Sequence, residues 1–356
     1  MHYNYKIWKI LKKLLKYLLI NFENSILTNY QILNHLMNKI KNLTQPILVT
    51  GAAGFIGANL VRFLVSKGLK VNIIIRKNSN IWRIKDIIHK TNTHYVDLRD
   101  KTKLRKIIQK IKPKSIFHLA TYGAYSYQSD WKLIKSTILN GTINLLNECK
   151  KYKFNIFINS GSSSEYGFKK NKMSENSLLE PNSYYAVFKS ATTLFCQYEA
   201  ITNKLPIVTV RFFHVYGQFE EPSRLIPTLI RNLLNNKNSK LVSSNIARDM
   251  IFIDDVIDLY LLIASKPRIK GDIFNIGSGK QRDIAEIYSK LCNITNVKIK
   301  PVWNTMKDRS WDQTNWTADM RFVKKIFRWK PKNSLKMGLT KTVDWYRNYY
   351  NKNSKL

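Results

Sequence analysis

One short run limits the folds open to this chain more than any other: Pro46-Ile-Leu-Val-Thr-Gly-Ala-Ala-Gly-Phe-Ile-Gly57. Ile47, Leu48 and Val49 are aliphatic with no polar alternation, as a strand covered on both faces requires. Three glycines follow at Gly-x-x-Gly-x-x-Gly spacing. Gly51 permits a sharp turn, Gly54 lets backbone approach a pyrophosphate, and Gly57 lets a new helix pack close to its strand. Phosphates would then meet unpaired helix N–H groups. Leu60, Val61, Phe63, Leu64 and Val65, interspersed with Arg62, Ser66 and Lys67, make a helix plain from Asn59 to Lys67 and closed by Gly68. Glycines also gather in ordinary loops, but strand, glycine turn and amphipathic helix in that order predict a dinucleotide site.

With 356 residues and 44% hydrophobic content, the chain suits one large α/β domain or two interleaved ones. Sixty Lys and Arg against 23 Asp and Glu give a formal charge of +37. Such a field attracts polyanions without making a site for any of them, because the basic residues are scattered over helix faces. Nucleic acid is therefore not the partner expected, whereas a nucleotide-diphosphate substrate would benefit from the same potential. Cys149, Cys196 and Cys292 are far apart and odd in number, with no Cys-x-x-Cys and no neighbouring His cluster. A reducing, cytoplasmic setting and no metal site follow. No uncharged apolar run approaches the ~20 residues of a membrane span.

Residues 1–44 precede the first strand as a separate basic extension. Ile7, Ile10, Leu11, Leu14, Leu15 and Leu18 recur at helical spacing among Lys6, Lys9, Lys12, Lys13 and Lys16. Three readings stay open: peripheral contact of residues 1–20 with an anionic membrane surface, docking on the domain or a partner, or a true start at Met37.

After Gly68, Leu69-Lys-Val-Asn-Ile-Ile-Ile75 is a second apolar strand, ending at Arg76-Lys77-Asn78-Ser79. A carboxylate at that end would favour NAD by binding the ribose 2′-hydroxyl; Arg76 with Ser79 suits a 2′-phosphate, so NADP is favoured over NAD. A third strand runs from Thr93 into Asp97-Leu98-Arg99-Asp100, and a helix over 101–112 ends at Pro113. A fourth strand spans Ser115 to Leu119, a long helix Ser129 to Lys151, and a fifth strand Phe154 to Asn159. That alternation indicates a doubly wound, mainly parallel sheet with helices on both faces.

The fifth strand ends in Asn159-Ser-Gly-Ser-Ser-Ser-Glu-Tyr-Gly167, and Pro181-Asn-Ser-Tyr-Tyr-Ala-Val-Phe-Lys189 follows. Tyr185 and Lys189, four apart, share one face of a helix. An ammonium one turn away should lower the phenol's pKa from about 10 by favouring phenolate. Such a Tyr can exchange a proton with a hydroxyl while a hydride moves to or from a nicotinamide. Ser162 or Ser163, at a strand's carboxyl end, can hydrogen-bond the same oxygen.

From Pro46 to about Tyr346 the chain resembles the extended short-chain dehydrogenase/reductases of the NAD(P)-dependent nucleotide-sugar epimerase/dehydratase family. Thr50-Gly-Ala-Ala-Gly-Phe-Ile-Gly57 is similar to its cofactor loop, Asp97-Leu98 to its adenine-contacting pair, and His118-Leu119-Ala120 to its fourth-strand signature. Asn140-Gly-Thr-Ile-Asn-Leu-Leu146 fits its helix motif, and Tyr185, Lys189 and Ser162 fit its catalytic triad. Arg211-Phe-Phe-His-Val-Tyr-Gly217, Arg248-Asp-Met-Ile-Phe-Ile-Asp-Asp-Val256 and Phe274-Asn-Ile-Gly-Ser-Gly279 resemble its substrate-side motifs. The resemblance implies a Rossmann-like α/β domain over 45–217 and an interleaved smaller C-terminal subdomain over 218–356. It implies a cofactor held by Gly51, Gly54, Phe55, Ile56, Gly57, Arg76, Asp97, Leu98, Leu119, Ala120, Tyr185 and Lys189. A nucleotide-diphosphate sugar would meet Ser163, Ser164, Arg248 and Arg309, the two arginines facing the diphosphate. A homodimer joined by the long helix and the helix bearing Tyr185 is also implied. Trp303, Trp311 and Trp316 read as packing.

Dehydrating members of the family place an acid and a base directly after the catalytic Ser or Thr. Those positions are Ser163 and Ser164 here, and Glu165, one residue farther, would turn away on an extended segment. Epimerisation at C4 or reduction of a 4-keto sugar is therefore expected, with 4,6-dehydration through Glu165 as the alternative. A non-catalytic RNA-binding protein on the same scaffold is the rival of another class, and an intact triad beside an intact glycine loop argues against it.

Overall fold

The computed structural model describes residues 43–266, 271–305 and 315–353. The chain divides into two units, 1–43 and 44–356. Residues 1–42 of the basic N-terminal extension, Trp311 and Arg309 lie outside the described residues.

A seven-stranded parallel sheet organises the second unit. Its strands, in chain order, are β1 (Ile47–Thr50), β2 (Val71–Ile75), β3 (Asn92–Tyr95), β4 (Ser115–His118), β5 (Ile156–Ser162), β6 (Ile207–Phe212) and, much later, β9 (Ile273–Ile276). Their spatial order is β3-β2-β1-β4-β5-β6-β9. Every residue of β1, β2 and β4 is buried, which is why they read as mainly apolar runs, broken by Asn72 in β2 and by Ser115 and His118 at the ends of β4, while β3 (Asn-Thr-His-Tyr) is a polar edge. The chain winds outward through β1, β2 and β3, then returns to β4 on the other side of β1. The crevice at that reversal, beyond the carboxyl ends of β1 and β4, is where such sheets take ligands.

A second sheet has the order β10-β8-β7, from β7 (His214–Tyr216), β8 (Ala247–Phe252) and β10 (Gln281–Asp283). The two sheets are interleaved along the sequence, since β9 joins the first after β7 and β8 have joined the second.

The first helix, α1 (Phe55–Ser66), follows β1, and α2 (Lys101–Ile111) is capped by the Asp100 side chain accepting from Lys103 N at 3.0 Å. The expected long helix after β4 is not continuous. It runs as α3 (Trp131–Lys135), a π-helical turn (Ser136–Asn140) and α4 (Gly141–Cys149). Gly141 sits against Leu98, where an added Cβ would lie 3.3 Å from the Leu98 Cβ, and Asn144 Nδ2 donates to the Leu98 carbonyl at 3.0 Å. The helix thus locks the turn that carries Asp97 and Leu98. The fifth strand is also longer than expected, and a 3₁₀ turn over Ser163–Tyr166 ends it. The remaining described helices are α5 (Tyr184–Thr202), α6 (Leu225–Leu234), α7 (Ile253–Ala264), α8 (Ile284–Thr295), α9 (Arg321–Phe327) and α10 (Leu335–Asn353). None is long and apolar enough to cross a membrane among the described residues.

Candidate active site

A cleft of about 900 Å³ opens at the reversal point. The β1–α1 turn forms one wall. Gly51 has φ +69°, and a Cβ there would stand 2.5 Å from the Leu119 carbonyl carbon, so only glycine lets the turn lie against the end of β4. A Cβ on Gly57 would stand 2.2 Å from the Gly51 oxygen, which fixes how closely α1 packs under its own turn. Gly54 is the N-cap of α1 and has no side-chain cap, and the first turn carries no acidic residue. The helix therefore presents uncapped N–H groups to the cleft, beside Phe55 and Ile56, as a diphosphate needs.

Behind this wall His118 is a buried structural link. Its Nδ1 meets Thr50 Oγ1 at 2.7 Å and its Nε2 meets Thr142 Oγ1 at 2.8 Å; burial holds the ring neutral, its pKa down at about 3. At the far end of β2, Arg76 is exposed and its backbone N–H donates to Ser79 Oγ at 3.1 Å. Asp97 lines the same end but is held by Arg99, with distances of 2.9 and 2.7 Å to its two oxygens. Leu98, Leu119 and Ala120 complete that side.

The end of β5 and the start of α5 supply the candidate catalytic side chains. Ser183 caps α5 by accepting from Ala186 N at 3.2 Å, which begins the helix one residue before Tyr185. The Ser162 and Thr121 side chains lie beside Tyr185 and favour its phenolate form. Lys189 Nζ donates to the Ser160 carbonyl at 2.6 Å and lies 5.8 Å from the Tyr185 ring centre. The anticipated lowering of the phenol pKa is not what this geometry produces. Desolvation pushes Tyr185 up to about 12, although Ser162 and Thr121 oppose it, and Lys189 falls to about 8 through burial despite Glu165 nearby. Burial outweighs the one-turn spacing, because desolvation is the largest effect on both groups and disfavours phenolate and ammonium alike.

Glu165 has turned away from the cleft, as expected, but by a different route. The 3₁₀ turn carries its carboxylate into the interior, where Oε1 accepts from Ser162 N at 2.8 Å and Oε2 accepts from Arg211 Nε at 2.8 Å. It is fully buried and does not line the cleft. Ser162 Oγ meanwhile accepts from Ser164 N at 3.1 Å, which orients the serine hydroxyl.

Opposite, Arg248 projects from β8 towards the cleft because the pleat sends its neighbour Asp249 inward. Asp249 there accepts from the backbone N–H groups of Ser278, Gly279 and Ala318. The Phe274–Gly279 motif is thus what seats the arginine. Arg248 lies 5.9 Å from the Trp316 ring centre, and Trp316 Nε1 donates to Ser163 Oγ at 3.0 Å. Trp316 belongs to an apolar cluster with Tyr166, Met173, Phe213 and Ala318, so it packs and also lines the cleft; Trp303 does not line it.

Apart from Arg309, every residue that the sequence assigned to the Tyr-Lys-Ser triad, the cofactor or the sugar nucleotide lines this one cleft, while Glu165 does not. Sequence reasoning did not find Thr121, Asn182, Glu220 or Arg224 on its walls, nor a role for His214. Thr121 directly follows the fourth-strand signature, which was the one signal available for it.

A parallel sheet with a glycine-turn helix at its reversal point and a Tyr, Lys and Ser beside it defines an NAD(P)-dependent enzyme of the extended short-chain dehydrogenase/reductase type. Residues 47–277 match the model of the NAD dependent epimerase/dehydratase family, and the chain belongs to that family. A dTDP-D-glucose 4,6-dehydratase of Dictyostelium discoideum is 26% identical over 88% of this chain and 84% of its own. Among solved structures, a UDP-glucose 4-epimerase of Thermotoga maritima, in complex with UDP-glucose, superposes with a TM-score of 0.79 at 25% identity, covering 85% of this chain and 99% of its own. A UDP-glucuronic acid 4-epimerase of Bacillus cereus, bound to UDP-glucuronic acid and NAD, gives 0.76 at 29% identity with the same coverage.

Proposed function

We propose that the protein binds a nucleotide-diphosphate sugar and interconverts a hydroxyl and a ketone at C4 of the sugar, either epimerising it or reducing a 4-keto sugar. The observation that carries this reading is the meeting of Tyr185, Ser162 and Lys189 with the uncapped start of α1 in one cleft. Solved relatives of this fold hold UDP-glucose or UDP-glucuronic acid in complex. When bound, the nicotinamide supplies the hydride acceptor or donor. Tyr185 takes the hydroxyl proton or returns it, Ser162 holds the sugar oxygen by a hydrogen bond, and Lys189 keeps positive charge near the phenol. Gly54, Phe55 and Ile56 would receive the dinucleotide's diphosphate; Arg248 would receive that of the sugar nucleotide, as a forked donor to phosphate oxygens. Dehydration through Glu165 is disfavoured, because its carboxylate is committed to Arg211.

NADP is the cofactor we favour, since Arg76 is exposed at the end of β2 beside Ser79. A homodimer is supported by an apolar stripe on the outer face of α5, where Tyr184, Val187, Leu194, Tyr198 and Ile201 are exposed and Trp131 stacks on Tyr184.

The test is to purify the chain, identify the nucleotide it retains, and follow reduced-cofactor absorbance with NADP and with NAD against nucleotide sugars and 4-keto sugars. Tyr185→Phe should keep dinucleotide binding and lose turnover by a factor of about 10²–10⁴, the usual worth of a general acid–base group. Near-normal turnover in that variant would place the proton transfer elsewhere.

A further inference from the structure

The loop after β7, residues 217–221, is a strap tied to three other parts of the fold. Asn59 Nδ2 of α1 donates to the Gln218 carbonyl at 3.0 Å, and Arg83 Nε donates to the Phe219 carbonyl at 2.7 Å. Tyr346 of α10 donates its hydroxyl hydrogen to the Glu220 carbonyl at 3.2 Å. Phe219 holds a left-handed φ of +65°, which a bulky side chain adopts only when its surroundings insist. Here they do: Arg62 lies over its ring at 4.2 Å, and Trp345 packs against it at 4.7 Å. The strap is thus a rigid mount set against the first turns of α1, the same helix whose start forms the phosphate cradle.

It carries two successive carboxyl groups to the cleft wall, and the fold treats them differently. Glu221 is ion-paired with Arg83 Nη2 at 2.8 Å. Glu220 is 5% exposed and its backbone N–H donates to the Gly217 carbonyl at 3.4 Å, but its Oε2 is buried with no hydrogen-bond partner. An unsatisfied buried carboxyl oxygen is costly and calls for a ligand atom or a proton.

We propose that Glu220 binds the dinucleotide as a neutral acid, donating its carboxyl hydrogen to an oxygen of the phosphate groups that the start of α1 receives. This rests on the cleft being a dinucleotide site. A carboxylate in the same place would repel a diphosphate; the protonated form is attracted to it. Burial does hold the group protonated, raising its pKa to about 8 even though Arg224 and Arg83 pull it down. The charged and titratable groups around it are Arg83 from the segment after β2, Arg224 at the start of α6, Tyr216 of β7, Tyr346 of α10 and Glu221 beside it.

The sign of the pH effect follows. Above about pH 8 Glu220 ionises, loses its donor hydrogen and becomes repulsive, so dinucleotide affinity falls as pH rises. Lys189 loses its charge in the same range and weakens binding as well, so only a comparison isolates Glu220. The experiment measures the Kd of reduced dinucleotide by fluorescence from about pH 6.5 to 9.5, in the full chain and in Glu220→Gln, which keeps a hydrogen donor but cannot ionise. Expected is a slope of log Kd against pH that is lower in the variant by up to one, that is up to tenfold less weakening per pH unit. Calorimetry in two buffers near pH 8 should show less proton uptake on binding in the variant. A merely structural role would shift Kd at every pH alike and leave the slopes equal, which overturns the proposal while leaving the dinucleotide site intact. A slope difference found with a nucleoside diphosphate and absent with the dinucleotide overturns it too. If folded wild-type protein binds no dinucleotide at any pH, both the site and the role of Glu220 are refuted.

Discussion

Glu165 shows how a single side chain separates a structural from a catalytic role. Its carboxylate and Arg211 form a buried pair, with Arg211 also reaching the Glu175 carbonyl at 3.2 Å and the Tyr166 ring centre at 4.6 Å. Removing one member of a buried pair leaves the other charge unbalanced and typically costs about 3–5 kcal/mol. Glu165→Gln should therefore lower the unfolding free energy read from urea titration by an amount of that order, with dinucleotide affinity little changed when measured in the folded baseline. Were Glu165 also the acid of a dehydration, the folded variant would in addition lose turnover. The sequence placed this residue one step out of phase with the cleft but had no means of placing Arg211 against it. Those two residues are 46 positions apart, and only the pairing of β5 with β6, Gly161 opposite Arg211, brings them together. Glu220 escaped notice for a related reason: its environment is made by the segment after β2, the start of α6 and α10, and no local pattern announces it.

At the level of the element, α5 serves two surfaces at once. Its inner face buries Ala186, Lys189, Ser190, Thr193, Cys196 and Ala200, and its outer face exposes the apolar stripe from Tyr184 to Ile201. Polar residues are what a solvent-facing stripe should carry, so a covering partner is the economical reading. Leu194→Glu with Tyr198→Glu should turn a wild-type dimer into a monomer in sedimentation velocity, because four carboxylates would then crowd a two-fold interface in which each stripe meets its copy. Dinucleotide fluorescence should survive, as Tyr185 and Lys189 lie on the other side. A wild-type chain sedimenting as a monomer would end the dimer reading. Elements of this kind were largely legible beforehand: β1, β2 and β4 as mainly apolar runs. Where the reading slipped, at the π-helical turn over Ser136–Asn140, the cause was tertiary. Gly141 and Asn144 are drawn to Leu98 across the fold, which helical periodicity does not record.

The whole molecule is governed by its excess of positive charge, +37 over 356 residues. Several of the described ion pairs are local and exposed, such as Lys103 with Asp100 and Arg347 with Asp344, and pairs of that sort contribute little. The unpaired excess repels itself in the compact state and attracts any anionic ligand, and salt acts on both. Between about 10 mM and 100 mM NaCl the screening length contracts from about 30 Å to about 10 Å, from the scale of the whole molecule to that of a few side chains. The unfolding temperature should rise over that interval as self-repulsion is screened, while affinity for the dinucleotide falls as long-range attraction is screened. Differential scanning fluorimetry and fluorescence titration on the same preparation give both. Opposite signs are the signature of one common field; an unfolding temperature that drops with salt would mean that local pairing, and not net repulsion, dominates the stability of the folded chain.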